Sequence, residues 1–303
     1  MNYLAVNIIR NGADWLIVRI FVLSKTAIMN ECYGKKFILN GELQPAELFD
    51  NSLVYEGDSI YEVIRMVKGN PIFFPDHMER LSASVKLQHK IPLADDSVLR
   101  NAILQLTRSD KKKETNIKIV FNYNNGSDNY LIYLIETGYP SREQYNKGVK
   151  GIFFFAERKD PESKVINHKL RSSIYHKLIH EGGYEALLVN ENNLITEGSR
   201  SNIFFLKNET LITAPDNLIL KGITRKHILD ICEENRINVE LTCVNAGNIS
   251  EYEAVFMTGT SPMVLPFYCI NDQFFNVRLP LLEMLRKLYK LRAEESIRLF
   301  RLE

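Results

Sequence analysis

The 303-residue chain is short of several things that mark common classes of protein. It has four cysteines (Cys32, Cys232, Cys243, Cys269), with no CxxC pair and no Cys/His spacing that suits zinc. They read as reduced thiols of a cytoplasmic protein, not as a disulfide framework or a metal site. The excess of one charge sign is also missing: 38 basic residues against 37 acidic ones leave a net charge of +1. No general pull toward nucleic acid or an anionic membrane follows, and no aromatic ladder interleaves with the basic residues. A P-loop and a strand-following GxGxxG are absent, which removes support for a nucleotide cofactor. So are a GxSxG elbow and an HExxH helix, which removes the usual hydrolytic signatures. The six histidines form no ligand pattern; His176 and His180 share a helix face, find no third ligand and read as a surface or capping feature. There is no internal repeat and no low-complexity tract.

What is present is the composition of a globular protein: 45% apolar and 25% charged residues, with 16 Phe and 14 Tyr for bulk. Residues 1–28 stand apart as an extension. Their apolar run from Trp15 to Leu23 is interrupted by Arg19 and is too short to span a bilayer. A signal peptide has weak support, and a start placed ahead of Met29 is the favoured reading. Phe37 to Glu42 then looks like the first hairpin of a domain, turned by Asn40-Gly41. A strand is expected over Asp58–Val67, a break at Gly69-Asn70-Pro71, and a second strand over Ile72–Phe74. A helix opens at Pro75-Asp76-His77 and runs to Leu87, with Met78, Leu81, Val85 and Leu87 as its apolar stripe. A second helix covers about Asp96 to Arg108 and ends in a solvated run to Glu114. Strands follow at Ile117–Tyr123 and Tyr130–Ile135. The first half is therefore a small α+β domain over 29–137.

The polar, proline-broken stretch from Gly138 to Tyr145 marks a linker over 138–150. The larger domain, 151–303, opens with a strand at Gly151–Phe155 and a helix from Leu170 to His180 that stops at Gly182-Gly183. Strands at Glu185–Val189, Ile203–Leu206 and Thr210–Ala214 follow. A helix after Lys221-Gly222-Ile223-Thr224 buries Ile228, Leu229 and Ile231, and a long amphipathic helix closes the chain.

Chemistry concentrates between Lys164 and Asn202, where one lysine and one carboxylate, Glu197, are followed by the small turn Gly198 to Ser201. A lysine amine that attacks a carbonyl, an acid that holds a ring proton and a turn that accepts phosphate are the parts of a Schiff-base site. Three small-residue turns could offer backbone N–H groups and hydroxyls to an anion: Gly198 to Ser201, Gly222 to Thr224, and Gly259 to Ser261. The middle one sits at a helix start, where the dipole favours phosphate. Taken singly, each is an ordinary turn, and a lone lysine is ordinarily a solvated charge. Glu56, Asp58 and Glu62 lie close together, two of them near turns, and do not read as a catalytic dyad.

Taken together, the motifs Gly57-Asp58-Ser59-Ile60-Tyr61-Glu62-Val63-Ile64-Arg65, His77-Met78-Glu79-Arg80-Leu81, Lys164-Val165-Ile166-Asn167, Tyr184-Glu185-Ala186, Thr196 to Asn202 and Gly222-Ile223-Thr224-Arg225 are specific. In order and spacing the chain resembles the fold-type IV pyridoxal-phosphate enzymes, the class IV aminotransferases. That group includes branched-chain aminotransferases, D-amino acid aminotransferases and aminodeoxychorismate lyases. The resemblance covers about Lys36 to Phe267. It implies a two-domain, D-amino acid aminotransferase-like α+β architecture with pyridoxal 5′-phosphate between the domains, and a homodimer in which the partner's small domain helps close each site.

It also implies roles. Lys164 would bond to the cofactor and move the proton between substrate Cα and cofactor C4′; Lys169, five residues on, is rejected. Glu197 would bind the pyridine nitrogen. Arg80 would grip the phosphate, with the N–H groups of Ile223 and Thr224 and the Thr260 hydroxyl. Tyr61 would line the substrate side, and the Thr260-Ser261 backbone would receive a substrate carboxylate. Arg65 matches an arginine of the branched-chain enzymes, and is equally well read as a strand-edge surface charge. Tyr123 could serve as branched-chain enzymes use a tyrosine. Departures bear on substrate. No arginine falls between Ile117 and Tyr133, Pro262-Met263 replaces an alanine-glutamate pair, and Lys169 stands where a tyrosine approaches the cofactor. The expected reaction is transfer of an amino group from an amino acid, branched-chain or otherwise apolar, to a 2-oxo acid. The alternative is an aminodeoxychorismate lyase that yields 4-aminobenzoate and pyruvate. Metal, nucleic acid and membrane are not expected partners.

Overall fold

The computed structural model of the protein describes residues 30–110, 112 and 114–302. The expectations for residues 1–28 and for a start at Met29 lie outside the described residues. The first unit is built on a six-stranded sheet. Its strands are β1 (Lys36–Leu39), β2 (Glu42–Pro45), β3 (Asp58–Val67), β4 (Asn70–Pro71), β5 (Glu114–Tyr123) and β6 (Asn129–Ile135), in the order β2-β1-β6-β5-β3-β4. Helices α1 (Ser52–Tyr55), α2 (Phe74–Leu87) and α3 (Asp96–Asp110) accompany it. Asn40 and Gly41 take φ of 48° and 88°, as a two-residue hairpin turn between β1 and β2 requires.

Period-2 alternation divides β3 into two faces. Ile60, Ile64 and Met66 pack with Met78, Leu81 and Val85 of α2 and with Leu99, Ile103 and Leu106 of α3. Tyr61 and Val63 fall on the opposite, front face with Val120, Leu131 and Tyr133. Two local expectations change. Ile72–Phe74 is no strand, because Phe73 turns left-handed (φ 54°) and α2 begins at Phe74. Leu87 is exposed, and Phe74 takes its place in the apolar stripe. The Phe73 conformation is held from outside: its ring stacks on His227 at 3.7 Å and its N–H donates to Ser296 Oγ at 3.1 Å.

The second unit begins with α4 (Arg142–Lys147), which sits inside the expected linker. Ser141 and Gln144 close a capping box on it. The Tyr145 hydroxyl donates to Pro262 O at 3.0 Å, so the linker is packed, not loose. There follow β7 (Val149–Phe155), α5 (His168–Glu181), β8 (Glu185–Val189), β9 (Leu194–Gly198), β10 (Asn202–Lys207) and β11 (Thr210–Thr213). The chain continues with α6 (Ile223–Glu234), β12 (Val239–Leu241), β13 (Val244–Asn245), β14 (Ala254–Gly259), β15 (Met263–Ile270), β16 (Gln273–Phe274) and α7 (Pro280–Leu302). A ten-stranded sheet runs β12-β11-β10-β14-β15-β7-β8-β9-β13, with β16 beside β15.

Two features bind the units. The segment before α5 pairs with the free edge of β3 through an Ile60–Val165 bridge. Helix α7 packs on α6 and then reaches back: Phe300 joins the first unit's core, and Arg100 donates to its carbonyl at 2.6 Å. A boundary that assigns all of 151–303 to the larger unit therefore divides a contact that both units share. Among the described residues all four thiols are free, no group could hold a metal ion, and no helix is long and apolar enough to cross a membrane.

Candidate active site

Lys164 lies in the connection from β7 to α5. The asparagine of its K-x-x-N motif has a local task, since the Asn167 side chain accepts the Leu170 N–H at 3.1 Å and caps α5. The lysine itself is strung along β3. Lys164 O accepts the Tyr61 N–H at 3.0 Å, and the Ile166 N–H donates to Ser59 O at 3.1 Å. The Lys164 N–H donates to Ser84 Oγ of α2 at 3.2 Å. Three main-chain bonds thus fix where its side chain starts. Nζ ends 4.9 Å from the centre of the Tyr61 ring. Burial, with Arg80 and Arg158 nearby, lowers the pKa of the amine against the pull of Tyr61 and Glu62. Lys169 is exposed on α5.

Glu197 sits on β9, a strand that the turn-like pattern around it had hidden, and is 3% exposed. Arg158 donates to one carboxylate oxygen at 3.0 Å and the Leu220 N–H to the other at 3.2 Å. Burial raises its pKa, and the Arg158 charge pulls the other way. The turn that follows is not an anion cradle. Its hydroxyls are taken by Glu185, which accepts from Ser199 Oγ at 2.5 Å, Ser201 Oγ at 3.0 Å and the Ser199 N–H at 3.2 Å. This explains the Tyr184-Glu185-Ala186 motif: a buried carboxylate ties down the turn behind Glu197. Asn202 then donates to Leu220 O at 2.8 Å, and its side-chain oxygen lies so close to Gly222 that a Cβ there would overlap it.

Leu220 to Thr224 is the hinge of the site. One end touches Glu197, and the other opens α6, whose first N–H groups have no partner within the helix. Arg80 of α2 reaches this start, with Nη1 donating to Lys221 O at 3.1 Å. Its remaining nitrogens form a fork on Glu62 of β3, Nε to Oε1 and Nη2 to Oε2, both at 2.7 Å. His77 Nδ1 adds a contact of 2.8 Å to the same carboxylate. Glu62 is fully buried. Burial would raise its pKa, but Arg80 and His77 hold it well below the usual carboxylate range. Ile223 and Thr224 are buried, and the Thr224 hydroxyl meets the Tyr289 hydroxyl of α7 at 3.1 Å.

The front face of the small sheet forms the other wall. Tyr61 is buried; that would raise its phenol, but Arg171, Lys164, Lys118 and Arg158 hold it at about 7. Arg171, exposed on α5, donates to the Tyr61 hydroxyl across the cleft. Further along β3, Arg65 is 9% exposed, which removes the surface-charge reading. Its Nη1 donates to Ser261 O at 3.1 Å, it stacks on Tyr139 at 4.0 Å, and its Nε is buried without a partner. Asn116 of β5 donates to Ser261 Oγ at 2.8 Å and accepts from Tyr139 at 2.9 Å. The Thr260 hydroxyl donates to Val63 O at 3.3 Å. Thr260 and Ser261 thus stand against the front of β3.

Tyr123 does not belong here. Strand register places it on the helix face with Ile60 and Phe121, and its hydroxyl donates to Ile91 O at 2.7 Å. Several residues that do belong here were not identified from the sequence. Glu62, Arg158, Asn116, Lys118, Arg171 and Glu31 all line or hold the cleft. Glu62 stood in a quoted motif, Lys118 lies within the strand expected over Ile117–Tyr123 and Asn116 one residue ahead of it; Arg158 and Glu31 carry no sequence signal.

A family model described as amino-transferase class IV matches residues 59–268. A D-alanine aminotransferase of Bacillus licheniformis is 27% identical over 242 residues, covering 72% of this chain and 80% of that protein. A putative branched-chain-amino-acid aminotransferase of Methanocaldococcus jannaschii is 26% identical over 263 residues, covering 80% and 90%. Among solved structures, a T.th. branched-chain amino acid aminotransferase with pyridoxamine 5′-phosphate superposes with a TM-score of 0.76 at 23% identity, covering 87% of this chain and 95% of that one. A putative 4-amino-4-deoxychorismate lyase from Legionella pneumophila gives 0.70 at 21% identity, covering 78% and 91%. At these identities the two superpositions speak to the fold, which they share.

Proposed function

The chain belongs to the class IV aminotransferases, enzymes that depend on pyridoxal phosphate, and from that membership we propose that it moves the amino group of an apolar amino acid, branched-chain or similar, to a 2-oxo acid. The observation that carries the reading is the placing of Lys164, pinned by three main-chain bonds with its amine against Tyr61. Glu197 and Arg80 flank it on independently built supports.

The residues present fit the cofactor. Arg80, aimed by Glu62 at the start of α6, and the first-turn N–H groups of Ile223 and Thr224, which have no partner within the helix, suit a phosphate. Gly222 makes room for the Asn202 side chain, which holds the chain ahead of α6 through Leu220. Glu197 suits a protonated ring nitrogen, because its two present bonds leave lone pairs free. When bound, the cofactor withdraws electrons from the substrate Cα. The protein's own contribution is positional and electrostatic. Lys164, whose charged form is disfavoured by burial, is placed to take the Cα proton and to return it two atoms on, across the amino nitrogen. Glu197 holds a proton at the ring nitrogen. Arg65, Asn116 and the Thr260-Ser261 turn take the substrate carboxylate, for which the unpartnered Arg65 Nε is a waiting donor.

We further infer a homodimer, for which the exposed apolar side chains of Phe155, Tyr175 and Ile179 give area, and a reducing, cytoplasmic setting that suits four free thiols. The test of function is a single half-reaction. Holoenzyme mixed with a panel of L- and D-amino acids should change its visible absorption as the cofactor takes the amino group. The released 2-oxo acid should match the donor. Pyruvate released from aminodeoxychorismate, with no donor changing the spectrum, would replace the transfer reaction by the lyase reaction.

A further inference from the structure

The front wall of the cleft holds a carboxylate that the reaction described above does not use. Glu31, in the segment ahead of β1, directs its side chain inward. Oε1 accepts from Lys118 Nζ at 2.7 Å, and Oε2 accepts from the hydroxyls of Tyr55 at 2.8 Å and Tyr133 at 3.0 Å. The segment is anchored there, since the Glu31 N–H donates to Asn51 Oδ1 at 3.1 Å. An ammonium and two phenols converging on one carboxylate are what a protein uses to bind an acidic group. Here the acidic group is its own.

The position gives this contact a meaning for substrate choice. Lys118 and Asn116 alternate on the front face of β5, so about 7 Å separates them along the strand. Asn116 holds Ser261 at the end proposed for the substrate carboxylate. Lys118 Nζ and Lys164 Nζ both approach the Tyr61 ring, at 5.2 and 4.9 Å from its centre. A substrate with its carboxylate at Asn116 and its amine at Lys164 therefore extends its side chain toward Lys118. Lys118 is 2% exposed, and Glu31 meets its charge before any substrate arrives.

We propose that Glu31 determines side-chain specificity: its carboxylate fills the corner formed by Lys118, Tyr55 and Tyr133, and so reserves that end of the site for uncharged side chains. A substrate carboxylate entering there would meet a like charge, at a corner where the ammonium and both phenols are already turned to Glu31. The inference rests on the aminotransferase reading. It narrows both partners, amino donor and 2-oxo acceptor, to those with neutral side chains.

The test compares half-reactions of leucine and glutamate, and of their 2-oxo acids, on holoenzyme. The wild type should favour the neutral member by about tenfold or more in kcat/KM, the scale on which an unpaired or repelled charge discriminates. Glu31→Gln should raise the glutamate-to-leucine ratio by about tenfold, because Lys118 and both phenols become available. The double variant Glu31→Gln, Lys118→Met should lose that gain in the glutamate-to-leucine ratio. A wild type that handles glutamate as well as leucine overturns the proposal and assigns acidic recognition to Arg171, and this arm needs no variant to fold. An unchanged ratio in a folded Glu31→Gln enzyme overturns it too. If no donor of either kind changes the spectrum, it is the aminotransferase reading that fails.

Discussion

The two walls of the cleft are built in opposite ways. On the helix side, the side chains of Glu62, His77 and Arg80 are bonded to one another, Arg80 passes the chain on to the start of α6, and the central carboxylate is fully buried. On the front side, Arg65 keeps an unpartnered Nε, Arg171 is exposed and reaches the Tyr61 hydroxyl across the cleft, and Tyr61 is poised at about 7. The difference follows from what each wall must meet. A cofactor of constant shape can be awaited by a rigid, mutually braced network, whereas exchanging substrates need groups free to change partners. Changes on the helix side and at the lysine–glutamate pair should therefore depress activity with every donor. Changes on the front side should alter ratios between donors or the pH profile.

The largest effects are expected where both walls converge. Lys164→Ala should abolish the visible absorption band and lower turnover by at least about a thousandfold, since a general base alone contributes that order. Retained turnover would mean that the two walls serve some other group. Glu197→Gln should keep the cofactor yet lose about a hundredfold or more in kcat for all donors alike, because a neutral amide does not hold the ring proton. An effect limited to one donor would move Glu197 to the substrate wall.

Next comes the helix-side wall itself. Glu62→Gln leaves Arg80, whose side chain is 10% exposed, half-paired, and losing one partner of a buried ion pair costs up to about 3–5 kcal/mol. Cofactor affinity and thermal stability should fall together, with the donor ratio unchanged. The pH dependence has a definite sign. Glu62's pKa is lower folded than unfolded, so its stabilisation is present above the ordinary glutamate value of about 4.3 and is lost as pH falls below it. In acid unfolding, the stability difference between wild type and Glu62→Gln should shrink steadily below about pH 4. A difference that is constant with pH would show that the carboxylate is not what holds the arginine.

The same contrast explains what the sequence could reveal. The helix-side wall and the lysine–glutamate pair come from contiguous motifs, because rigid support is local: Asn167 caps the helix behind Lys164, and Asn202 covers Gly222. Their spacing is visible in one dimension, and the family was legible from it. The front wall comes from register. Asn116 and Lys118 matter because β5 lies beside β3 in one particular alignment, and Glu31 because a segment with no motif folds across them. Tyr123 was misplaced for the same reason, since one residue of alternation decides the face and a lone tyrosine does not show which. Strand β9 was missed because its five residues sit between turns and end in Gly198.

The smallest expected effect is the most particular to the front wall. Tyr61→Phe removes one hydroxyl and keeps the ring against Lys164, so turnover at the optimum should change by less than about tenfold. Its shape with pH should change more. The phenol lies at about 7 because the cations of Arg171, Lys164, Lys118 and Arg158 outweigh its burial. A group whose folded pKa is depressed adds stability that is complete above its unfolded value, near 10, and is lost as pH falls through the folded one. Apoprotein should therefore gain stability over Tyr61→Phe as pH rises from about 7 toward 10, measured by thermal unfolding at each pH. The activity profile of the variant should lose an inflection near neutrality. Parallel profiles for the two proteins would mean that Tyr61 stays protonated throughout, and that the front wall, like the helix wall, is set rather than poised.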